Sequence, residues 1–430
     1  MGRRGARGQL VDHEESGARA RCGVALREQL LAGQEHRVPR EPEVAAQHAC
    51  RGEPRAGREP APEDGVAERA VELALQRPVA VEPQAEHGIW YHGFLGMWTF
   101  HGISSAGTVR PMSNPTDLER FFEYARAFEL AYVSDDFSGL VPYFTEQARH
   151  EVIEGGPFGS GARGGREVVA DLQGSVARVD RRFDVRIPET LEGPMPRRDG
   201  IWMRYALTLR RHGLPDLRVE GEHLTRYDAD RISSIEERLV PGSAERVAAY
   251  LAEHEASLKP AGAPFAPPTD PADHEALAGA IARTLVRAYG SAKSAQDIGA
   301  ALALCSDDFT IETTAFDVTS RDRADTAEQL GLFFHAFPDY GVAMDGLATG
   351  DGVVTCWGRA RMTFGGAFLG TEPTGRTAAI PFFCVFGCDG MQLRYERFFF
   401  DRAAFCEGIG VPVEQLSALL RQIRAAAEAA

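Results

Sequence analysis

His223 and Glu237 stand fourteen residues apart with the turn-rich Asp228-Ala-Asp between them. Across a hairpin such an offset can set two side chains opposite each other on one face, because strand side chains alternate and opposed partners sit about 5 Å apart. An imidazole beside a carboxylate in a partly dry pocket is a general acid/base pair, so the chemistry on offer is proton transfer on a bound molecule. The same two residues on the solvated face of an antiparallel sheet would read identically, so the sequence leaves both facings open. On a neighbouring strand Arg204 and Tyr205 could orient a carbonyl or enolate, and alternation lets only one of them face a pocket. His150 with Glu151 reads as an exposed pair at the end of a helix.

These residues need a scaffold, and hydropathy periodicity supplies one. Leu118, Phe121, Phe122, Ala125, Phe128 and Tyr132 recur at three- and four-residue spacing, the apolar face of an amphipathic helix. Asn114, with Pro115 in the first helical position, reads as its start. A short second helix is expected around 140–144, and 166–176 carries a third apolar face. The period then changes to two, and strands are expected at 183–187, 201–209, 217–227 and 232–239. The order then repeats at a spacing near 155 to 160 residues: helices at 277–289, 302–309 and 326–337, then strands at 340–347, 352–363, 378–386 and 393–400. In this duplication Trp202 pairs with Trp357, and Ile235-Glu-Glu-Arg with Arg394-Tyr-Glu-Arg. Helices followed by strands give an α+β class, each curved antiparallel sheet burying one face under helices.

Residues 1–88 contain no Phe, Tyr, Trp or Ile and cannot bury enough surface to offset their conformational entropy. The expected organisation is an N-terminal extension over 1–111, disordered or an over-extended gene start with Met112 as the true initiator. A first domain follows over 112–256, a Pro-rich linker over 257–273, and a second domain with a C-terminal helix over 274–430.

In the second copy Phe337-Pro-Asp-Tyr, Phe368-Leu-Gly-Thr-Glu-Pro-Thr-Gly-Arg, Asp389-Gly and Phe400-Asp-Arg-Ala-Ala-Phe follow one another over about 70 residues. This order resembles the SnoaL-like polyketide cyclases of the nuclear-transport-factor-2-like superfamily, an α+β fold of cone-shaped domains, here two in tandem. The first copy lacks two of these motifs, and its likeness rests on the duplicated element order. The resemblance implies aldol-type ring closure or isomerisation, with a His on the penultimate strand and an acid fourteen positions later. His223 and Glu237 match that spacing, although the family acid is usually Asp. In the second copy the same alignment places Phe398 and Phe383 at the acid and His positions, or Glu396 and Phe382 without a gap. Neither register restores a His. Tyr205, Trp202, Trp357, Phe383, Glu396 and Phe398 are the residues expected to line the two cones.

A formal charge of −15 and a pI near 5.4 argue against a nucleic-acid partner. No run of about 18 apolar residues exists to span a bilayer, and no secretory signal is apparent, so a cytoplasmic location is expected. Seven cysteines without paired metal or redox spacing, and no GxGxxG, P-loop, HExxH or GxSxG motif, give neither a metal nor any cofactor. The expected partner is a small apolar organic ligand. The two cones are expected to pack sheet against sheet as an intrachain pseudo-dimer, with homo-oligomerisation left open. The reading from a different class is a non-catalytic binding or dimerisation module.

Overall fold

A computed structural model describes residues 116–428. The expected start at Met112, Asn114 and Pro115 and the whole N-terminal extension lie outside the described residues. Helix α1 (Asp117–Ser134) is capped by Thr116, whose hydroxyl accepts from the Glu119 amide while the Glu119 carboxylate accepts from the Thr116 amide. This reciprocal cap satisfies two end groups of the helix at once. A 3₁₀ turn (Ser138–Tyr143) leads into β1 (Phe144–Ile153), followed by β2 (Gly161–Arg163) and α2 (Gly165–Arg178). Strands β3 (Val185–Arg197), β4 (Gly200–Arg210), β5 (Leu217–Asp228) and β6 (Arg231–Leu239) complete the sheet, and α3 (Ser243–Glu253) closes the domain.

The second domain repeats this plan. Helices α4 (Pro271–Ser294) and α5 (Ile298–Ala303) precede β7 (Cys305–Thr313), β8 (Val318–Thr319) and α6 (Arg323–Ala336). Then come β9 (Gly341–Gly350), β10 (Val353–Thr363), β11 (Thr377–Asp389), β12 (Gln392–Phe400) and the helices α7 (Arg402–Ile409) and α8 (Val413–Glu428). Helix α4 begins within the stretch expected as linker. Each domain is thus a six-stranded sheet under helices, ordered β2-β1-β6-β5-β4-β3 and β8-β7-β12-β11-β10-β9. The α+β class and the duplication hold.

Two strands correct the sequence reading. Phe144–Ile153 forms β1 where only the end of a helix was expected, and Cys305–Thr313 forms β7 where a helix was expected over 302–309. Both strands pair in parallel with the last strand of their sheet, so the sheets are mixed rather than purely antiparallel. The strand character of β1 lies in alternation alone, with Phe144, Ala148, His150 and Val152 turned inward. Its polar and helix-favouring residues hide that pattern.

The domains meet through a helix, not sheet on sheet. Strand β3 is the free edge of the first sheet, and α4 lies along it. The Thr190 amide donates to Thr284 Oγ1 at 3.0 Å, Arg283 Nε pairs with Glu189 at 2.6 Å, and Val185, Ile187 and Ala280 share an apolar cluster. Covering an edge strand in this way satisfies its amides and blocks pairing with other chains. At the helix start the buried carboxylate of Asp273 takes Arg210 at 2.6 Å and His212 at 2.8 Å. The opposite face of α4, with Leu285, Val286, Tyr289 and Ala292, enters the core of its own domain.

That core is continuous. It takes in Leu118, Phe121 and Phe122 of α1 and Ile201 of β4 from the first domain, whose other buried apolar residues fall mainly into separate clusters, one under α1 and α2 and one towards α3. Between them lie ionisable side chains.

Candidate active site in the first cone

His223 and Glu237 are directly opposed across β5 and β6, as their spacing suggests. Along β5 the inward positions are Leu217, Val219, Gly221, His223 and Thr225, so the imidazole points into the cone, where it is 8% exposed. Its Nδ1 stands 3.4 Å from Glu237 Oε1, at the long end of hydrogen bonding, and its Nε2 lies 2.7 Å from Thr225 Oγ1. The Phe121 ring of α1 meets the imidazole edge-on at 5.9 Å. Both ring nitrogens are therefore engaged by the protein.

Glu237 is the open member of the pair. A quarter of its side-chain surface remains accessible (25%) although it lies deep in the domain. Burial alone would push its carboxyl up, but the hydrogen bond and charge of His223, with the charges of His150 and Arg186, outweigh it and hold the carboxyl below the usual value. Tyr205, inward-facing on β4, lies near Glu237, and burial together with that carboxylate pushes its phenol far up. It therefore stays a neutral donor. Gly221 lies across from Tyr205, and a Cβ there would fall 2.9 Å from the Tyr205 hydroxyl, so the glycine makes room for that hydroxyl.

Further groups had no sequence signal. Arg186 on β3 takes both oxygens of Glu129 at 2.9 and 2.8 Å and Asp180 at 3.0 Å. Burial raises the Asp180 carboxyl to about 6 even beside this cation. His150 is not an exposed helix-end residue: it sits inward on β1, 3% exposed, with Nδ1 3.0 Å from Asp171 of α2. A recognised β1 would have revealed its inward facing.

The remaining lining candidates are dispersed. Trp202 lies on the opposite face of the first sheet from His223, its indole N–H donating to Glu222 at 3.3 Å and its ring stacked under Arg197. Trp357 and Phe383 are cross-strand neighbours on the outer face of the second sheet, where Phe383 meets Phe399 at 6.1 Å. Phe398 and Glu396 point into the second cone. The residue opposite Glu396 is Phe386 and the residue opposite Phe398 is Cys384, not Phe382 or Phe383: the β11–β12 hairpin turns over two residues just as β5–β6 does, and Glu396 lies two residues nearer its turn than Glu237 does. Glu396 is buried and receives Tyr289 Oη at 2.9 Å and Lys293 Nζ at 3.0 Å. The second cone thus holds a closed ion pair in a packed aromatic core.

Residues 283–407 match the family model described as SnoaL-like polyketide cyclase. Among solved structures, one neighbour is a protein of ketosteroid isomerase-like fold from Catenulispora acidiphila, in complex with trimethylamine (17% identity, 30% of this chain and 95% of that one, TM-score 0.28). Another is a SnoaL-like polyketide cyclase candidate from Jannaschia (18% identity, 34% and 99%, TM-score 0.30). A third is a polyketide cyclase candidate from Streptomyces antibioticus (19% identity, 30% and 99%, TM-score 0.27). No curated protein matches the chain. Among the described residues no helix is long and apolar enough to cross a membrane. The chain thus carries two α+β domains built on one plan, and the second of them is similar to the SnoaL-like polyketide cyclases.

Proposed function

We propose that the first cone binds a small, largely apolar, carbonyl-bearing molecule and moves protons on it, as an aldol-type cyclase or isomerase does. The observation that carries this reading is a partly accessible carboxylate, Glu237, facing into the first cone and backed by His223. Glu237 takes the role of base, because it is ionised and is the group a ligand can reach. His223 holds it from behind, with Thr225 fixing the ring, and Tyr205 supplies a neutral hydroxyl beside it. The packed second cone supports a scaffolding role for that domain, with no catalysis of its own. Its family likeness and the first cone's acid/base pair therefore sit in different halves of the chain.

A generic substrate tests this without knowledge of the natural one. In 5-nitrobenzisoxazole, removal of the C3 proton breaks the N–O bond, forms a nitrile and leaves the electron pair on a coloured phenolate oxygen. The intact protein should accelerate this elimination, and Glu237→Gln should reduce the rate about 10²- to 10⁴-fold, the usual worth of a positioned base. Equal rates for wild type and Glu237→Gln would leave the non-catalytic binding module as the better reading.

A further inference from the structure

Glu237 has an imidazole on each side. His223 stands directly opposite it on β5. On its other flank β1 runs parallel to β6 with Val152 beside Glu237 and His150 beside Ile235. His150 and Val152 share the inward face, so His150 is the diagonal neighbour of Glu237, a separation that long side chains bridge.

His150 is held from one side only. Its Nδ1 lies 3.0 Å from Asp171 Oδ2, and Asp171 is in turn 3.9 Å from Arg178. Its Nε2 is buried and meets no partner in the protein. A buried polar atom left unpaired is uncommon and costs stability, so its retention calls for a role. With Asp171 accepting from Nδ1, the ring is fixed in orientation and can carry a positive charge beside the cone.

We propose that His150 is a positioning residue for Glu237: anchored by Asp171, it forms with His223 a two-sided imidazole cradle that keeps the carboxylate charged for its work as base. This rests on the proton-transfer reading of the first cone. The other ionisable groups acting on Glu237 are Tyr205 of β4, Tyr124 of α1, Arg186 of β3 and Asp180 of the turn before β3. Of these only Arg186 adds positive charge, and it is already shared by Glu129 and Asp180. The charge of His150 acts on Glu237 in the direction the cradle requires.

The test uses the full chain with ¹³C-labelled glutamate side chains and follows the Glu237 carboxyl by NMR. His150→Gln should move its titration to higher pH, and Asp171→Asn, a milder change at a partly exposed position, should move it the same way by less. In the benzisoxazole elimination the acid limb of the rate–pH profile should rise with it, while the plateau stays within about twofold. A purely structural His150 would lower the plateau or the folded fraction without moving the limb. Titrations of both variants that overlay the wild type would overturn the proposal. An unchanged elimination rate in Glu237→Gln would instead remove the base role, a result on which the titration does not depend.

Discussion

Glu237 and Glu396 both face inward on the last strand of their sheets but at different registers: Glu237 lies opposite His223 and beside Val152, its counterpart in the second sheet is Phe398, opposite Cys384 and beside Thr313, and Glu396, two residues nearer the turn, binds Lys293. Each cone thus carries an inward carboxylate on its last strand, at a different level and with a different partner. An amine delivered from helix α4 can close on the carboxylate and seal it, and Glu396 retains only 2% exposure. An imidazole on the neighbouring strand is fixed by its own backbone and leaves one side of Glu237 open.

The first prediction concerns that fixed imidazole. With His223→Gln the hydrogen bond and charge that lower the Glu237 carboxyl are lost, while the burial that raises it remains, so its titration should move to higher pH. The stability consequence has a defined sign. A carboxyl depressed in the folded state adds stability above its ordinary value of 4.5, and this is lost as pH falls through the folded value. Wild type should therefore lose more stability on acidification below 4.5 than His223→Gln does. Denaturant titrations at several pH values, with parallel stability curves for the two proteins, would contradict it.

How much of this was legible follows from which signals are local. The facing of His223 and Glu237 was readable because both lie on alternating strands joined by a hairpin, where spacing determines register. His150 was not readable, because β1 carries few β-formers and pairs in parallel with a strand about 85 residues later, a contact no local pattern encodes. The His position of the second copy was misplaced by the count. The two hairpins turn alike and the fourteen-residue offset holds between Cys384 and Phe398, so a count back from Phe398 to Phe383 lands one residue off, and a count from Glu396 starts two residues too near the turn. Lys293 is one of two lysines in the sequence, and only the packing of α4 shows that it enters the core.

Asp180 gives a second pH-dependent expectation, of opposite sign. Burial raises its carboxyl from 3.8 to about 6, so the folded state holds the proton more tightly than the unfolded chain between those values. Rising pH through that window should cost wild type on the order of 2 kcal/mol relative to Asp180→Asn, whose amide does not titrate. Thermal unfolding of both proteins at pH 4 and pH 7 reads this difference directly. A constant gap would mean that the Arg186 ion pair fully offsets burial.

The contact between the domains should fail at Ala280. This alanine is fully buried against Val185 and Ile187, and a glutamate there would drive an unpaired charge between α4 and β3. Ala280→Glu should cost about 2 kcal/mol or more of stability and increase amide exchange on β3. The Thr190 amide, which now donates to Thr284, is the most informative reporter. Unaltered protection at Thr190 would show that the edge is held by the flanking ion pairs alone.

The buried pair of Lys293 and Glu396 carries the sharpest energetic prediction. Burial lowers the lysine's affinity for its proton, but the adjacent carboxylate more than restores it, so the amine remains charged. Two charges taken from water recover their desolvation chiefly from each other, with the Tyr289 hydroxyl and the Cys384 thiol beside Glu396 and the Tyr289 and Phe398 rings beside Lys293 adding to it. Removing one partner should therefore be severe: Lys293→Met leaves Glu396 uncompensated in an aromatic core and should cost about 3–5 kcal/mol, as should Glu396→Leu. Removing both should be much milder, because two apolar side chains of similar length can occupy the space between Tyr289, Cys384 and Phe398 without any stranded charge. Lys293→Met/Glu396→Leu should fall within about 2 kcal/mol of wild type, a coupling energy of several kcal/mol in the cycle. Chemical denaturation of the four proteins measures it. Additive losses would show that each side chain is held by its other contacts and that the pair is not a unit. The elimination activity assigned to the first cone should be retained in the double variant, since Glu237 lies on the other sheet.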